Sequence, residues 1–218
     1  MLFDSFVLGQ GPQGPPGEQG PPGEPGEQGP QGIPGVGGGS GVSDYDIAVV
    51  IEDTVVRVLD NEGNTISYGT NGVDDTSCLQ DAVDACPDNG KVFVGPGLFT
   101  LYADKLFYLN GSSPETAANP FYYAVGVLDG KNVEFAGAGV GSTILKMADG
   151  QHYEDHHAIM LLNRAHWWGD GATMFVVSDM TLDGNRAGQS EWYYDGAGIV
   201  LTGSLASNFR FQRLWIKD

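Results

Sequence analysis

Short runs rich in apolar, β-branched and aromatic residues follow residue 46 and are separated by polar turns, a pattern typical of β-strands. Five such runs follow one another: Ile47–Ile51, Val55–Leu59, Asn64–Tyr68, Lys91–Val94 and Leu98–Leu101. The first three, joined by short polar turns, predict a small β-hairpin unit over residues 44–70. Between the third and fourth runs, apolar residues recur at helical spacing over residues 78–86, which predicts a short helix with Asp75 or Thr76 as its N-cap.

One apolar template recurs at long intervals and predicts a stack of similar structural units. Its copies are Val133, Phe135, Ala138 and Val140, then Phe175, Val177, Met180 and Leu182 after 42 residues, then Phe209, Phe211, Leu214 and Ile216 after another 34. Each copy reads as a strand, a turn and a second strand on successive coils of a solenoid. The intervals are long because loops are inserted, and these loops are where function is expected.

Three further apolar runs are assigned to the remaining strand of each coil: Ser142–Met147, Ala158–Leu162 and Gly198–Leu201. The final run, Leu214–Asp218, carries no polar cap, so its apolar side and its strand edge would be open. We therefore expect either a longer polypeptide or another chain to cover this end. The whole pattern predicts an all-β chain with one short helix.

The segment GVDDTSCLQDAVDACPDNGKVFVGPGLFTL, residues 72–101, resembles the opening of the pectate-lyase-like β-helix proteins of viral tail spikes and tail fibres. It contains the DDT-x-x-LQ-x-A helix of that family and a strand of the form V-x-V-x-PG-x-F. The resemblance implies a right-handed parallel β-helix (pectin-lyase-like) over residues 71–218, with a capping α-helix. Gly95, where the family more often has proline, changes the turn and no chemical group.

Glycine occupies every third position near the start of the chain. The series begins Gly11, Gly14, Gly17, Gly20, Gly23, Gly26, Gly29, Gly32 and Gly35, and continues to residue 41. Only glycine fits the axis where three polyproline-like chains wind together, whereas a disordered Pro/Gly linker needs no strict period. Residues 11–35 therefore resemble a collagen-like triple helix, which implies a homotrimer with a stalk about 75 Å long at about 3.1 Å per residue.

The stalk is flanked by two segments of different character. Residues 1–10 carry five large apolar side chains: Leu2, Phe3, Phe6, Val7 and Leu8. They lack the basic start and long apolar stretch of a signal peptide, and no run in the chain is long enough to insert into a membrane. The segment either packs into another virion protein or clusters with copies of itself, and both interpretations make it an attachment segment. Residues 36–43 form a glycine-rich, flexible neck.

The net charge is -18 at pH 7, so nucleic acid and anionic membranes are poor partners. The acidic residues include more Asp than Glu, and lysines are few. This composition favours a protein of a high-salt habitat, where salt screens the repulsion between its own charges. An ordinary acidic extracellular protein is the alternative. Cys78 and Cys86, about 12 Å apart on a helix, cannot bridge each other and are expected to be buried thiols.

Two aromatic clusters are the candidate carbohydrate-binding residues: Trp167 and Trp168, then Trp192, Tyr193 and Tyr194. Aromatic faces stack on sugar rings, and neighbouring carboxylates accept hydrogen bonds from sugar hydroxyls. The alternative is that these loops pack between chains of the trimer or over their own coil.

Catalytic and metal-binding residues are not assigned. His152 and His156, near His157 and His166, could ligate a divalent metal if their segment were helical, but Gly150 precedes it and a strand is predicted from Ala158. Surface histidines beside an acidic patch are the favoured interpretation, so no metal or cofactor is expected. Paired carboxylates for glycosidic catalysis are available at Asp179, Asp183, Glu191 and Asp195. Basic residues that a lyase would need are Lys146, Arg164 and Arg186. In so acidic a chain this availability is uninformative, and none of these residues matches a catalytic motif.

Composition and resemblance together predict a structural component of a virus particle, a tail fibre or spike of a tailed virus with a halophilic host. Such a homotrimer would be extracellular on the virion surface, bound to another virion protein through residues 1–10, with its head on a host glycan or glycoprotein. The rival prediction is a polysaccharide depolymerase, a lyase or glycoside hydrolase, on the same scaffold. A third is a structural spacer whose adhesive part lies beyond Asp218.

Overall fold

The computed structural model describes residues 44–107, 121–127, 131–151, 157–164, 174–189, 197–202 and 208–217. The predicted attachment segment, stalk and neck, residues 1–43, lie outside this part of the chain. The described residues are mostly β, which confirms the predicted class at that level. Their strands are β1 Ile47–Glu52, β2 Val55–Asp60, β3 Thr65–Thr70, β4 Gly90–Val94, β5 Gly97–Leu101, β6 Lys105–Phe107, β7 Phe121–Val127, β8 Val133–Gly137, β9 Thr143–Met147, β10 His157–Arg164, β11 Phe175–Asp183, β12 Ala197–Thr202 and β13 Phe209–Lys217. One α-helix, α1, spans Asp75–Ala85, and a 3₁₀ turn spans Arg186–Gly188.

The hairpin unit is an antiparallel meander in which β2 pairs with both β1 and β3. It is continuous with the following residues, because β1 also pairs in parallel with β4, with Val49 opposite Val94. Side chains from β1, β2 and β4 enter one core that contains Val49, Val58 and Val92. The predicted strands of this region are therefore confirmed, and they form the first rung of a larger sheet.

Helix α1 packs its apolar face against β1, β2, β3, β5 and β7. The predicted helix is confirmed, but its N-cap is Asp74, one residue before the predicted position. Asp75 is the first helical residue instead, and its carboxylate accepts hydrogen bonds from the backbone N–H groups of Gly72 and Thr100, at 2.9 and 2.6 Å. The buried thiols are also confirmed: Cys78 and Cys86 are unpaired, and burial raises the pKa of each to about 11.

The first ladder consists of β4, β8 and the leading halves of β11 and β13, all parallel. Val92, Phe135, Val177 and Phe211 lie opposite one another in a single column across these strands. The predicted offsets of 42 and 34 residues are confirmed in this ladder, since Phe175 lies opposite both Val133 and Phe209.

The second ladder consists of β5, β9 and the trailing halves of β11 and β13. Its core column is Phe99, Leu145 and Leu182, and Ile216 on β13 continues the column with 62% exposure. The predicted template is wrong here for Ala138 and Val140. These residues belong to a turn in which Gly139 and Gly141 have positive φ, of 137° and 77°, and Val140 is 48% exposed. The turn shifts the register, so that Thr181 pairs with Ile144 instead.

The third ladder is formed by the parallel strands β7, β10 and β12, with β6 antiparallel at its edge. The prediction that residues 158–162 and 198–201 occupy equivalent strands is confirmed. The prediction that residues 142–147 occupy the same strand position is wrong, because β9 belongs to the second ladder. The corresponding strand of the third ladder is β7. Among the described residues, no helix is long and apolar enough to cross a membrane.

Candidate functional site

Most of the residues that the sequence singles out lie outside the described part of the chain. These are Trp167, Trp168, Trp192, Tyr193, Tyr194, His152, His156, His166, Glu191 and Asp195. His157 and Arg164 are described only as backbone positions of β10. The described residues that the sequence offered as candidate carboxylates, Asp179 and Asp183, lie on β11, and both are ion-paired with β13.

The outer face of the second ladder carries a row of side chains that do not enter the core. Because side chains alternate along a strand, the neighbours of the buried Leu145 and Leu182 point away from the core. They form two columns in register, Ile144, Thr181 and Trp215, and Lys146, Asp183 and Lys217. We call these six residues the Trp215 strip; two of them, Thr181 and Asp183, are buried, at 1% and 8% exposure. Adjacent strands are about 4.8 Å apart, so the strip spans about 10 Å across β9, β11 and β13.

Trp215 is the large exposed aromatic side chain of the strip, at 54% exposure. The Lys217 ammonium lies 5.8 Å from the centroid of its ring, within the range of a cation–π contact. The same ammonium is 2.9 Å from a carboxylate oxygen of Asp183. An aromatic surface, a cation and an anion therefore lie side by side on adjacent strands.

Asp183 is held in place by the turn that follows β11. Its Oδ1 accepts a hydrogen bond from the Asn185 backbone N–H at 2.9 Å. Asn185 has a left-handed backbone, with φ of 54°, and its amide donates to the Met147 carbonyl at 2.9 Å and to Asp149 at 2.7 Å. Burial alone would raise the pKa of Asp183, but the Lys217 ammonium, the Asn185 N–H and Lys146 outweigh it and lower the pKa.

A bend separates the first ladder from the second, and it repeats in consecutive strands. Asp179 in β11 and Arg213 in β13 both have left-handed backbones, with φ of 59° and 50°. Their side chains form a two-point ion pair, with Arg213 Nη2 2.6 Å from Asp179 Oδ2 and Arg213 Nε bonded to Asp179 Oδ1. The guanidinium lowers the pKa of Asp179. The bend sets the direction in which the side chain of Trp215, two residues later, projects from β13.

This geometry suits binding better than proton transfer. A general acid needs a raised pKa at an accessible carboxyl group, whereas Asp179 and Asp183 have lowered pKa values and stay ionised. Asp75 has a pKa raised by burial, but it is completely buried. Within the described ranges, no three His, Cys, Asp or Glu side chains cluster as metal ligands.

The sequence interpretation missed the Trp215 strip. It treated residues 214–218 as an apolar coil strand. Two signals in the sequence point to the strip: period-2 alternation places Trp215 on the face opposite to Leu214 and Ile216, and the 34-residue offset places it opposite the polar Thr181.

The chain is similar to mannuronan C5-epimerases of Azotobacter vinelandii. It is 32% identical to AlgE2 over 127 residues, which covers 56% of this chain and 11% of AlgE2. It is 31% identical to AlgE3 over 120 residues and 33% identical to AlgE1 over 114, covering 6% and 7% of those proteins. The chain thus spans about a tenth or less of the length of these curated relatives. No family model matches it, and no solved structure matches it significantly.

Proposed function

We propose that this chain is a trimeric attachment component of a virus particle, a tail fibre or spike, whose head binds polysaccharide on the host surface. The observation that carries the binding role is the Trp215 strip, where an exposed indole, a lysine and a carboxylate stand in register on a rigid ladder. An indole face packs against the apolar face of a sugar ring, and the Lys217 ammonium, whose side chain is 39% exposed, donates hydrogen bonds to its hydroxyls.

The head is a right-handed parallel β-helix in this proposal. Three parallel ladders to which the chain returns every 34 to 46 residues support it. Parallel strands joined by a crossover in one sheet are connected with right-handed geometry in about 98% of cases. Helix α1, packed beside the first strands, is the cap of this solenoid.

Polysaccharide is the proposed ligand class because the relatives are named for their action on mannuronan, a polysaccharide. A polyanion would be repelled by a chain of net charge -18 in dilute buffer. At about 1 M salt the screening length falls to about 3 Å, so only charged groups in contact still interact electrostatically. The lysines of the strip would then contact a ligand carboxylate without long-range repulsion.

The proposals that the protein is a trimer and part of a virion rest on the sequence. Glycine at every third position from 11 to 41, eleven times in succession, favours a triple-helical stalk. The apolar side chains of residues 1–10 favour attachment to another virion protein. The resemblance of residues 72–101 to tail-spike and tail-fibre proteins supports a virion appendage, and the acidic composition supports a halophilic host.

A polysaccharide-modifying enzyme is the second candidate, and the epimerase relatives favour it. Epimerisation and chain cleavage both require a group that removes or delivers a proton. The ionised, ion-paired Asp179 and Asp183 are poorly suited to this role, so the described residues favour binding.

The test is calorimetric titration of the full chain with mannuronan as an acidic probe and dextran as a neutral one, at low salt and at about 1 M salt. We expect binding to at least one probe, weakened about tenfold or more by Trp215→Ala, equivalent to about 1.4 kcal/mol. Tyr102→Ala, which removes an exposed aromatic ring elsewhere, is the matched control and should bind as the unchanged protein does.

Chain length and C5 configuration of the mannuronan are followed by NMR in the same samples. Unaltered polymer after prolonged incubation supports a binding protein, whereas shortened or epimerised polymer supports the enzyme. Equal affinity of the Trp215→Ala and Tyr102→Ala proteins would show that the strip is not the binding site.

A further inference from the structure

Strand β3 is an edge strand without the usual protection. It lies at the end of its sheet and, among the described strands, pairs only with β2. Residues 63–73, which include all of β3, contain no charged residue and no proline, although the chain has 38 charged residues among 218. Edge strands of soluble proteins are normally blunted by charge or proline, or they are covered. Here the Asp74 carboxylate accepts a hydrogen bond from the Thr70 N–H at 2.8 Å, but residues 65–69 carry neither charge nor proline, which indicates that they are covered.

Large apolar side chains are exposed along the same segment. Ile66 and Tyr68, two residues apart on β3, are 43% and 73% exposed, and Val73 in the turn that follows is 63% exposed. We call these three residues the hairpin patch. Contiguous exposed apolar groups mark sites of protein contact more often than isolated ones do.

The hairpin patch includes the face of β3 that points away from the core. Tyr68 lies opposite Arg57, whereas its neighbours Ser67 and Gly69 lie opposite the buried Val58 and Val56. Packing within the described chain therefore does not satisfy this face, and an additional partner is required to bury it.

The described part of the chain begins on that same face. The ring of Tyr45, two residues after the neck, packs on Phe93, with 4.6 Å between centroids. Phe93 lies opposite Ala48, and Ala48 lies opposite Leu59, which shares a face of β2 with Arg57. From Phe93 to Tyr68 the path crosses three strand spacings, about 15 Å at about 4.8 Å each.

A neck of residues 36–43 has a comparable reach. Eight residues of a glycine-rich chain span about 16 Å between their ends. Three heads tethered at the end of one stalk would therefore face one another at an effective concentration in the millimolar range. Contact between heads needs only weak intrinsic affinity at such a concentration.

We propose that the hairpin patches of three copies pack on one another around the threefold axis, directly above the neck. The occupant of the patch is thus a second and a third copy of this chain. This inference rests on the trimer of the proposed function, and it adds the surface through which the heads touch. The Trp215 strip lies on β9, β11 and β13 and is left free for ligand.

The test is cross-linking of the full chain through one introduced cysteine. Cys78 and Cys86 are 2% and 1% exposed, and their pKa values of about 11 keep them as unreactive thiols, so they do not interfere. Tyr68→Cys places a thiol in the patch, and Val140→Cys places one in the exposed turn before β9 as the matched control. Both proteins are treated with a short bis-maleimide, and their oligomeric state is measured by analytical ultracentrifugation.

We expect a trimer in which Tyr68→Cys gives a covalent dimer on a denaturing gel and Val140→Cys does not. A trimer with no cross-link at residue 68 would overturn the patch contact and leave the proposed function standing. A monomer would overturn the trimer and the contact together. Ile66→Asp tests the contact without cysteine: the trimer should persist with a lower sedimentation coefficient, because the heads separate, and an unchanged coefficient would count against the contact.

Discussion

Thr143, at the corner between the first and second ladders, allows a quantitative test of the packing. It is completely buried, and its hydroxyl is shared by three backbone groups. Oγ1 accepts a hydrogen bond from the Ala138 N–H at 2.8 Å and lies 3.0 and 2.9 Å from the carbonyl oxygens of Val94 and Gly95, to which it donates. One hydroxyl therefore links the turn before β9 to the turn after β4.

The substitution Thr143→Val keeps the shape of the side chain and removes the hydroxyl. A buried backbone N–H and a carbonyl lose their partner, at about 1–3 kcal/mol each, so we expect the free energy of unfolding to fall by about 2–6 kcal/mol. For a chain of this size, each kcal/mol corresponds to about 2–4 °C of melting temperature, which gives a loss of about 4–24 °C.

Thr143→Ser is the control, because it keeps the hydroxyl and loses one methyl group at a cost of about 1 kcal/mol. Melting is followed by circular dichroism of both variants and the unchanged protein. The order of stability should be Thr, then Ser, then Val. A Val variant as stable as the Ser variant would refute the assignment of the corner to the hydroxyl.

Three further predictions concern other parts of the chain. Gly137→Ala should lower the melting temperature by several degrees, because an added Cβ would overlap the carbonyl oxygen of Asp179 in the neighbouring strand; a neutral result would contradict that packing. Asp75→Asn should gain stability relative to the unchanged protein as pH rises. Burial raises the folded pKa of Asp75 above 3.8, so the stability that Asp75 contributes is fully present below that value and is lost as pH rises through the folded pKa. Urea unfolding from about pH 3 to about pH 7 checks the sign. Gly23→Val should lower the melting temperature of the stalk, and an unchanged stalk transition in a trimer would count against a triple helix.

The strands that the sequence predicts well are those whose pattern is uninterrupted. β11 and β13 are continuous strands that bend at equivalent positions, Asp179 and Arg213, so their apolar residues stay in phase over the whole 34-residue offset. The same template fails at Val140, because the turn there separates two strands that β11 joins in one. An apolar side chain in a turn looks the same in the sequence as one in a strand.

The candidate site shows a similar division. The identity of Trp215 as an aromatic residue beside Lys217 is plain in the sequence, but its exposure depends on the strand that lies opposite. Asp183 and Lys217 are 34 residues apart and meet because β11 and β13 pair in register. Residue type alone did not separate this carboxylate from the many others of an acidic chain.

The sequence by itself determined the local elements: the hairpin strands, the helix with its two buried thiols and the spacing at which the first ladder repeats. These follow from periods of two and 3.6 residues, which are properties of neighbouring positions along the chain. Only the tertiary structure decided which strands share a ladder, where the corners turn and which side chains line the Trp215 strip. Pairing between distant strands depends on the lengths and backbone angles of the turns between them, and a hydrophobic pattern does not record these.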